Sequence, residues 1–306
     1  MKKVFFFIFL LLYLSGCSGK EAYTMIMNWK KYQSNLTLKN ISISKELNVS
    51  YLENDIQSDK TLVLVHGFGA NKDHWLDLAN QLDNKYHLII PDLIGDGESS
   101  KPLHINYSVE NQTTMLHQFL SKFQNKQIVL VGNSMGGLIS LNYAYKYQIN
   151  ALVLIDSLGL EVQDAYLNEL GVNKAKKLYL DICSVEKMHS LIELVFAKPP
   201  YIPEFIVEYL TKEKCQLSKL DEHKLSALFD NNLNLIDNIQ AKSTQIKTPT
   251  LILWGEKDKI VHVKNAYAFH TNIKNSELVI FENLGHIPMM EDPKSISQSI
   301  ISFLDQ

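Results

Sequence analysis

The sequence predicts an α/β chain, a mostly parallel sheet with helices on both faces and one inserted helical segment, and three observations carry that reading. First, six apolar runs recur: Thr61-Leu-Val-Leu-Val65, Tyr86-His-Leu-Ile-Ile90, Gln127-Ile-Val-Leu-Val131, Ala151-Leu-Val-Leu-Ile155, Thr250-Leu-Ile-Leu-Trp254 and Glu277-Leu-Val-Ile-Phe281. Apolar residues on consecutive positions are what a parallel strand covered on both faces requires. Second, helix-like stretches separate the runs. Third, between about Leu158 and Ser243 the alternation stops, and segments such as Met188–Val195 and Glu204–Leu210 read as helix alone.

The elements follow in chain order. Lys2 and Lys3 precede the apolar run Val4–Leu14, and Leu14-Ser-Gly-Cys17 closes it with small residues before a cysteine. Eleven apolar residues fall short of the roughly 20 that span a bilayer, so the run is a signal peptide. Residues 18–35 read as a polar tether with a short helix around Ile26–Tyr32, lifting the rest off the membrane. Alternation from Leu36 to Glu53 predicts two antiparallel edge strands. The six buried runs then build the sheet, with a helix over Leu138–Tyr147 after the third. The interval 158–243 is expected to be a helical cap, punctuated by Pro199-Pro200-Tyr201-Ile202-Pro203. Its segment Phe205, Ile206, Val207, Tyr209 and Leu210 is apolar enough either to pack on the main body or to serve as a lid facing lipid. The expected map is a signal at 1–16, a tether at 17–35, a body at 36–157 and 244–306, and the cap between.

Composition narrows the partners. The formal charge of −3 becomes about −5 once Lys2 and Lys3 are removed, which argues against a nucleic-acid partner. Every basic residue is Lys, so no bidentate guanidinium is present to grip a carboxylate or phosphate. Cys183 and Cys215 lie in one helical region, and their spacing leaves open whether they pair or stay as buried thiols.

The chemistry-bearing motif is Val131-Gly-Asn-Ser-Met-Gly-Gly137, in which a strand leads into a G-x-S-x-G pattern and a helix follows. Such a turn holds the serine oxygen clear of the sheet, and Gly132 and Gly136 leave room for it. Ser134 is therefore the candidate nucleophile, and a hydroxyl needs a base. Of ten histidines, His286 in Asn283-Leu-Gly-His-Ile-Pro288 follows the last strand at the sheet edge where strand ends converge. Asp258, in Trp254-Gly-Glu-Lys-Asp258, reaches the same edge and is preferred over Asp156 and Glu256 as the acid that orients the histidine. Backbone N–H groups of Phe68, in His66-Gly-Phe-Gly69, and of Met135 are the candidate donors to a developing oxyanion. His66 itself fits a structural hydrogen bond.

These motifs, with His66–Trp75, Leu251–Asp258 and Glu282–His286, resemble the α/β-hydrolase superfamily. More narrowly they are similar to bacterial lipases and esterases of the lipase 3 kind and to monoacylglycerol lipases of the α/β-hydrolase domain-containing protein 6 type. The chain order Ser134, Asp258, His286 is that of the superfamily. The resemblance implies an α/β-hydrolase fold with an inserted cap and hydrolysis of carboxylic esters with medium or long acyl chains through an acyl-enzyme. It implies no cofactor and no metal. A carbon–carbon bond hydrolase of the same fold, and a lipid-binding protein without turnover, are the alternatives. The hydrolase resemblance implies a small lipid or ester substrate, and the amino terminus resembles a bacterial lipoprotein signal, which implies acylation of Cys17 and membrane attachment in the cell envelope, at the outer membrane where the host has one.

Overall fold

The computed structural model describes residues 18–123, 127–160, 180–229 and 239–306. The signal segment 1–16 and Cys17 lie outside the described residues, as do residues 161–179 and 230–238 of the expected cap.

Among the described residues, eight strands form one sheet in the order β1-β2-β4-β3-β5-β6-β7-β8. β1 (Thr37–Ser42) and β2 (Asn48–Glu53) pair antiparallel at one edge, and β2 pairs antiparallel with β4 (His87–Pro91). The remaining pairs, among β3 (Lys60–Val65), β4, β5 (Gln127–Asn133), β6 (Ala151–Ile155), β7 (Thr250–Gly255) and β8 (Ser276–Phe281), are parallel. β3 to β8 are the six apolar runs. Their continuity is explained by the two cores. Val63, Leu130, Leu154 and Trp254 pack on one face of the sheet, while Leu62, Val131, Val153 and Leu253 pack on the other. Successive side chains of a strand point to opposite faces, so both must be apolar.

Helices α2 (Leu76–Leu82), α3 (Val109–Leu120), α4 (Met135–Lys146), α9 (Lys264–Asn272), α10 (Pro288–Glu291) and α11 (Pro293–Leu304) connect or close the strands. Between β6 and β7 the described residues form α5 (Val185–Val195), α6 (Glu204–Gln216), α7 (Ser218–Leu228) and α8 (Ile239–Ser243). The last of these, expected at the end of the cap, packs instead on α4 and α9, with Ile239 buried in the main core. Cys183 and Cys215 are joined by a disulfide with Cα atoms 4.8 Å apart, stapling the segment before α5 to the end of α6.

Residues 18–35 are not a loose tether. They form α1 (Gly19–Gln33), whose start is fixed by a capping box: Ser18 Oγ accepts from Glu21 N, and Glu21 Oε2 accepts from Ser18 N at 2.8 Å. α1 packs along α6, with Tyr23 and Tyr209 ring centroids 5.6 Å apart. It is fastened to the body by Lys30–Asp77 at 2.7 Å and Lys31–Asp73 at 3.1 Å. Gly19 must be glycine because a Cβ there would lie 2.0 Å from the Phe205 carbonyl oxygen. On α6, Ile206 and Val207 are buried, Val207 in a small core with Ile182 and Met188, so this helix is covered by α5 and α1 rather than offering its whole apolar side to lipid.

Candidate active site

β5 ends at Asn133 and α4 begins at Met135, which leaves Ser134 alone in the turn with φ 55° and ψ −120°. A non-glycine residue at positive φ is strained and persists only where its surroundings over-determine it. Here the surroundings are backbone. A Cβ on Gly132 would sit 2.4 Å from the Gly136 oxygen, and one on Gly136 would sit 2.1 Å from the Val65 oxygen, so strand, elbow and β3 touch main chain to main chain. Ser134 N donates to Ile155 O at 3.1 Å, and Ser134 O accepts from both Leu138 N and Leu158 N at 3.1 Å.

His286 follows β8 and is buried, with Nδ1 2.8 Å from Asp258 Oδ2. The other Asp258 oxygen accepts from Ile260 N at 2.7 Å and Val261 N at 3.0 Å, which fixes the carboxylate and leaves one oxygen for the imidazole. Asn133, the residue before Ser134, donates through Nδ2 to His286 O at 3.0 Å and to Ile155 O at 3.1 Å. The serine turn and the histidine loop are thereby tied together. Glu256, a rival acid, points to solvent.

Asp156, the other rival, is present but in a different condition. It ends β6 at φ 45°, is fully buried, and accepts from Gly255 N at 2.9 Å through Oδ1. Its burial, and next the neighbouring Asp258, push its acid well above the ordinary carboxylate range. One ligand atom from each of Asp156, Asp258 and His286 falls within 4.8 Å of the others. That cluster is poorly suited to a metal, because His286 Nδ1 is already bonded to Asp258 and Asp156 Oδ1 to Gly255 N.

Phe68 lies in the turn after β3, where Ala70 N donates to Gly67 O at 3.3 Å, and a Cβ on Gly67 would come 3.1 Å from Ser134 Cβ. Met135 opens α4, so its N–H has no acceptor within the helix. His66 is buried and structural, with Nδ1 2.8 Å from Gly67 O and Nε2 accepting from Leu93 N at 3.0 Å.

Sequence reasoning misses five further residues here, Lys214, Lys224, Asp221, Asp96 and Glu291. Lys224 Nζ stands 4.9 Å and Lys214 Nζ 5.6 Å from the centre of the Phe68 ring. Lys224 bonds Asp96 at 2.5 Å and Asp221 at 3.0 Å, while Lys214 bonds Asp221 at 2.6 Å. Burial alone would raise the Asp221 acid, but the two ammonium groups outweigh it and hold the acid below its ordinary value. Glu291 accepts from Gly285 N at 2.6 Å and Ala197 N at 2.9 Å, clamping the histidine loop to the end of α5, where His286 N also donates to Val195 O at 2.9 Å. Asp221 and Lys224 are three apart, but no local signal marks their long-range partners, since Lys224 and Asp96 are 128 positions apart and Glu291 and Ala197 are 94 apart.

With a strained serine between a parallel strand and a helix, and a buried His–Asp pair after the last two strands, the chain matches the family model described as alpha/beta hydrolase fold over residues 60–180 and 192–293. The chain belongs to that family. Among relatives of this hydrolase, Lipase 1 of Psychrobacter immobilis is 35% identical over 269 residues, 87% of this chain and 83% of the relative. Lipase 3 of Moraxella sp. (strain TA144) is 32% identical over 283 residues, 92% of this chain and 88% of the relative. The solved structure of a membrane phospholipase A, described as a bacterial virulence factor, superposes with a TM-score of 0.87 at 29% identity, covering 100% of this chain and 98% of the other. A model for the prokaryotic membrane lipoprotein lipid attachment site matches residues 1–18. The hydrolase is accordingly an ester-hydrolysing enzyme of lipase type, lipid-anchored in the cell envelope.

Proposed function

We propose that the hydrolase cleaves medium-to-long-chain acyl esters, monoacylglycerols among them, with Ser134 as nucleophile, His286 as base and Asp258 as the group that orients the imidazole. Ser134 Oγ bonds to the ester carbonyl carbon as His286 takes its proton, and the carbonyl oxygen becomes an oxyanion met by the N–H groups of Phe68 and Met135. The oxyanion collapses, the alcohol leaves with the proton from His286, and an acyl-Ser134 ester remains. Water, deprotonated by His286, then attacks that ester; collapse of the second oxyanion releases the acid and restores the serine. The steps draw on Ser134, His286, Asp258 and the two backbone N–H groups.

The observation that carries the reading is the buried His286–Asp258 pair at 2.8 Å, with the second Asp258 oxygen spent on two backbone N–H groups. The acyl preference rests on the lipase relatives and on the anchor. The inserted segment after β6, apart from α8 which packs on the body, acts in this reading as the cap that shapes the acyl pocket, and Cys17 as the acylated residue. Ser18 is not the Asp that resembles an inner-membrane retention signal, so a host with an outer membrane carries the protein there.

The test is hydrolysis of p-nitrophenyl esters from acetate to palmitate, with monoacylglycerol run beside them and Ser134→Ala as the blank. A maximum at medium or long chains with glycerol release is expected, and the Ser134→Ala variant should lose at least about a thousandfold in rate while melting like the parent. Turnover confined to acetate and butyrate, or near-parental activity in the variant, would reject the substrate class or the triad respectively.

A further inference from the structure

α1 begins two residues after the cysteine that the lipid attachment site places at the membrane, and the helix is not separated from it by a flexible spacer. Its capping box uses Ser18, the next residue, and Gly19 is already in contact with the Phe205 carbonyl of α6. Two Cα steps of 3.8 Å put the anchor residue within about 8 Å of Gly19. An anchor this short brings the start of α1 to the bilayer surface, and the orientation of α1 decides what else meets lipid.

One side of α1 is committed to the protein. Ala22 is buried, Tyr23 packs on Tyr209, Lys30 and Lys31 pair with Asp77 and Asp73, and Ser34 Oγ donates to Leu76 O at 3.3 Å. The other side carries Met25, Trp29 and Tyr32, which are 39%, 46% and 82% exposed. Their spacing of four and three places them on one helical stripe. Beyond the start of α1, Tyr201 is 90% exposed four residues before Phe205, at the α6 end that Gly19 touches. Large apolar and amphipathic aromatic side chains beside a lipid anchor are the composition of a membrane interface, where tryptophan and tyrosine seat their rings at headgroup level.

We infer that the Met25–Trp29–Tyr32 stripe of α1, continued by Tyr201, lies on the lipid surface into which the Cys17 acyl chains insert, so that α1 and the start of α6 face the bilayer. The inference rests on the anchor reading. It turns the expected tether into a docking surface that holds the inserted helices against the source of lipid substrate.

The three tryptophans make the test selective, because Trp75 and Trp254 are completely buried and Trp29 alone reports the stripe. The acylated full chain is placed in phosphatidylethanolamine–phosphatidylglycerol vesicles, with and without phosphatidylcholine brominated in the acyl chain near the headgroup. Brominated lipid should quench the fraction of emission that Trp29→Phe removes. Met25→Glu with Tyr32→Glu should keep the parental melt and the hydrolysis of a short soluble ester while losing that quenching. Protein that co-sediments with vesicles yet shows unchanged Trp29 emission overturns the inference and leaves the anchor standing. The same is true if Trp29 is shielded from acrylamide but not quenched by lipid, since a second copy then covers the stripe. Loss of co-sedimentation overturns the anchor reading and this inference with it.

Discussion

Around Ser134 the chain is held by backbone against backbone, whereas Phe68, one loop away, is covered by charged side chains from the inserted helices. The serine turn leaves no room for a single Cβ on Gly132 or Gly136, and its hydrogen bonds run to Ile155, Leu138 and Leu158 main chain. The Phe68 side depends on Lys214, Asp221, Lys224 and Asp96, which meet across the seam between the inserted helices and the body. The first arrangement is rigid and short-range. The second is long-range and breaks at one residue, because a buried ion pair that loses a partner leaves a charge without compensation. The nucleophile is thus set by backbone around β5, with only Leu158 at the very start of the insertion touching it, while the Phe68 wall is set by the inserted helices.

The largest effect should come from the seam. Lys224→Ala strands Asp96 in a dry environment and leaves Asp221 with Lys214 alone, and a loss of about 3–5 kcal/mol in urea unfolding is expected. A change of only about 0.5 kcal/mol, the size of a surface substitution, would show that the seam is solvated and that the contrast with the serine turn is false. On the other side, Gly136→Ala should cost about 3 kcal/mol, the upper end for overpacking, because the obstruction is the β3 carbonyl rather than a side chain that can turn away. Removing the Cys183–Cys215 cross-link by serine substitution should cost about 2 kcal/mol, the low end for a disulfide, since both ends lie on elements that already pack together. This loss should appear in the inserted helices first, as faster amide exchange in α5 and α6 with β5 unchanged. Uniform loss of protection would make the insertion and body one cooperative unit.

The same contrast separates what was legible in the sequence from what was not. β3 to β8 could be read because each carries its own apolar run, with β3 to β7 buried on both faces and the edge strand β8 half-buried. The serine turn could be read because its constraint is local, two glycines flanking one serine. Asp258 was preferable to Glu256 by position, and the burial of one and exposure of the other accord with that. The seam could not be read, because a lysine opposite an aspartate 128 positions away has no periodicity. α1 was misjudged for a related reason: its short amphipathic pattern fits a free helix as well as one docked on α6, and only the Phe205 carbonyl explains why residue 19 is glycine. The cysteine spacing alone leaves pairing open, and it is α6 that brings Cys215 beside Cys183.

Asp156 gives the smallest and sharpest test, because it lies where the rigid side meets the histidine loop. The groups facing it are Asp258, Glu291 and His286, and burial followed by Asp258 raises its acid above 3.8, the value expected in the unfolded chain. The folded state therefore holds a proton that the unfolded state has released, and stability falls as pH rises from the unfolded value through the folded one. Asn at this position has no proton to lose. Asp156→Asn should gain stability relative to the parent as pH is raised from about 4 to 8, with the difference closing at lower pH. Activity separates the charge states further. Asn retains an N–H that can point at Asp258, so the acid limb of the pH–rate profile should stay in place. Asp156→Ala removes the donor, concentrates negative charge on Asp258 and better stabilises the His286 imidazolium, so the acid limb should move to higher pH. An ionised Asp156 would give the opposite sign, because its removal takes a negative charge away from the imidazolium and moves the limb down.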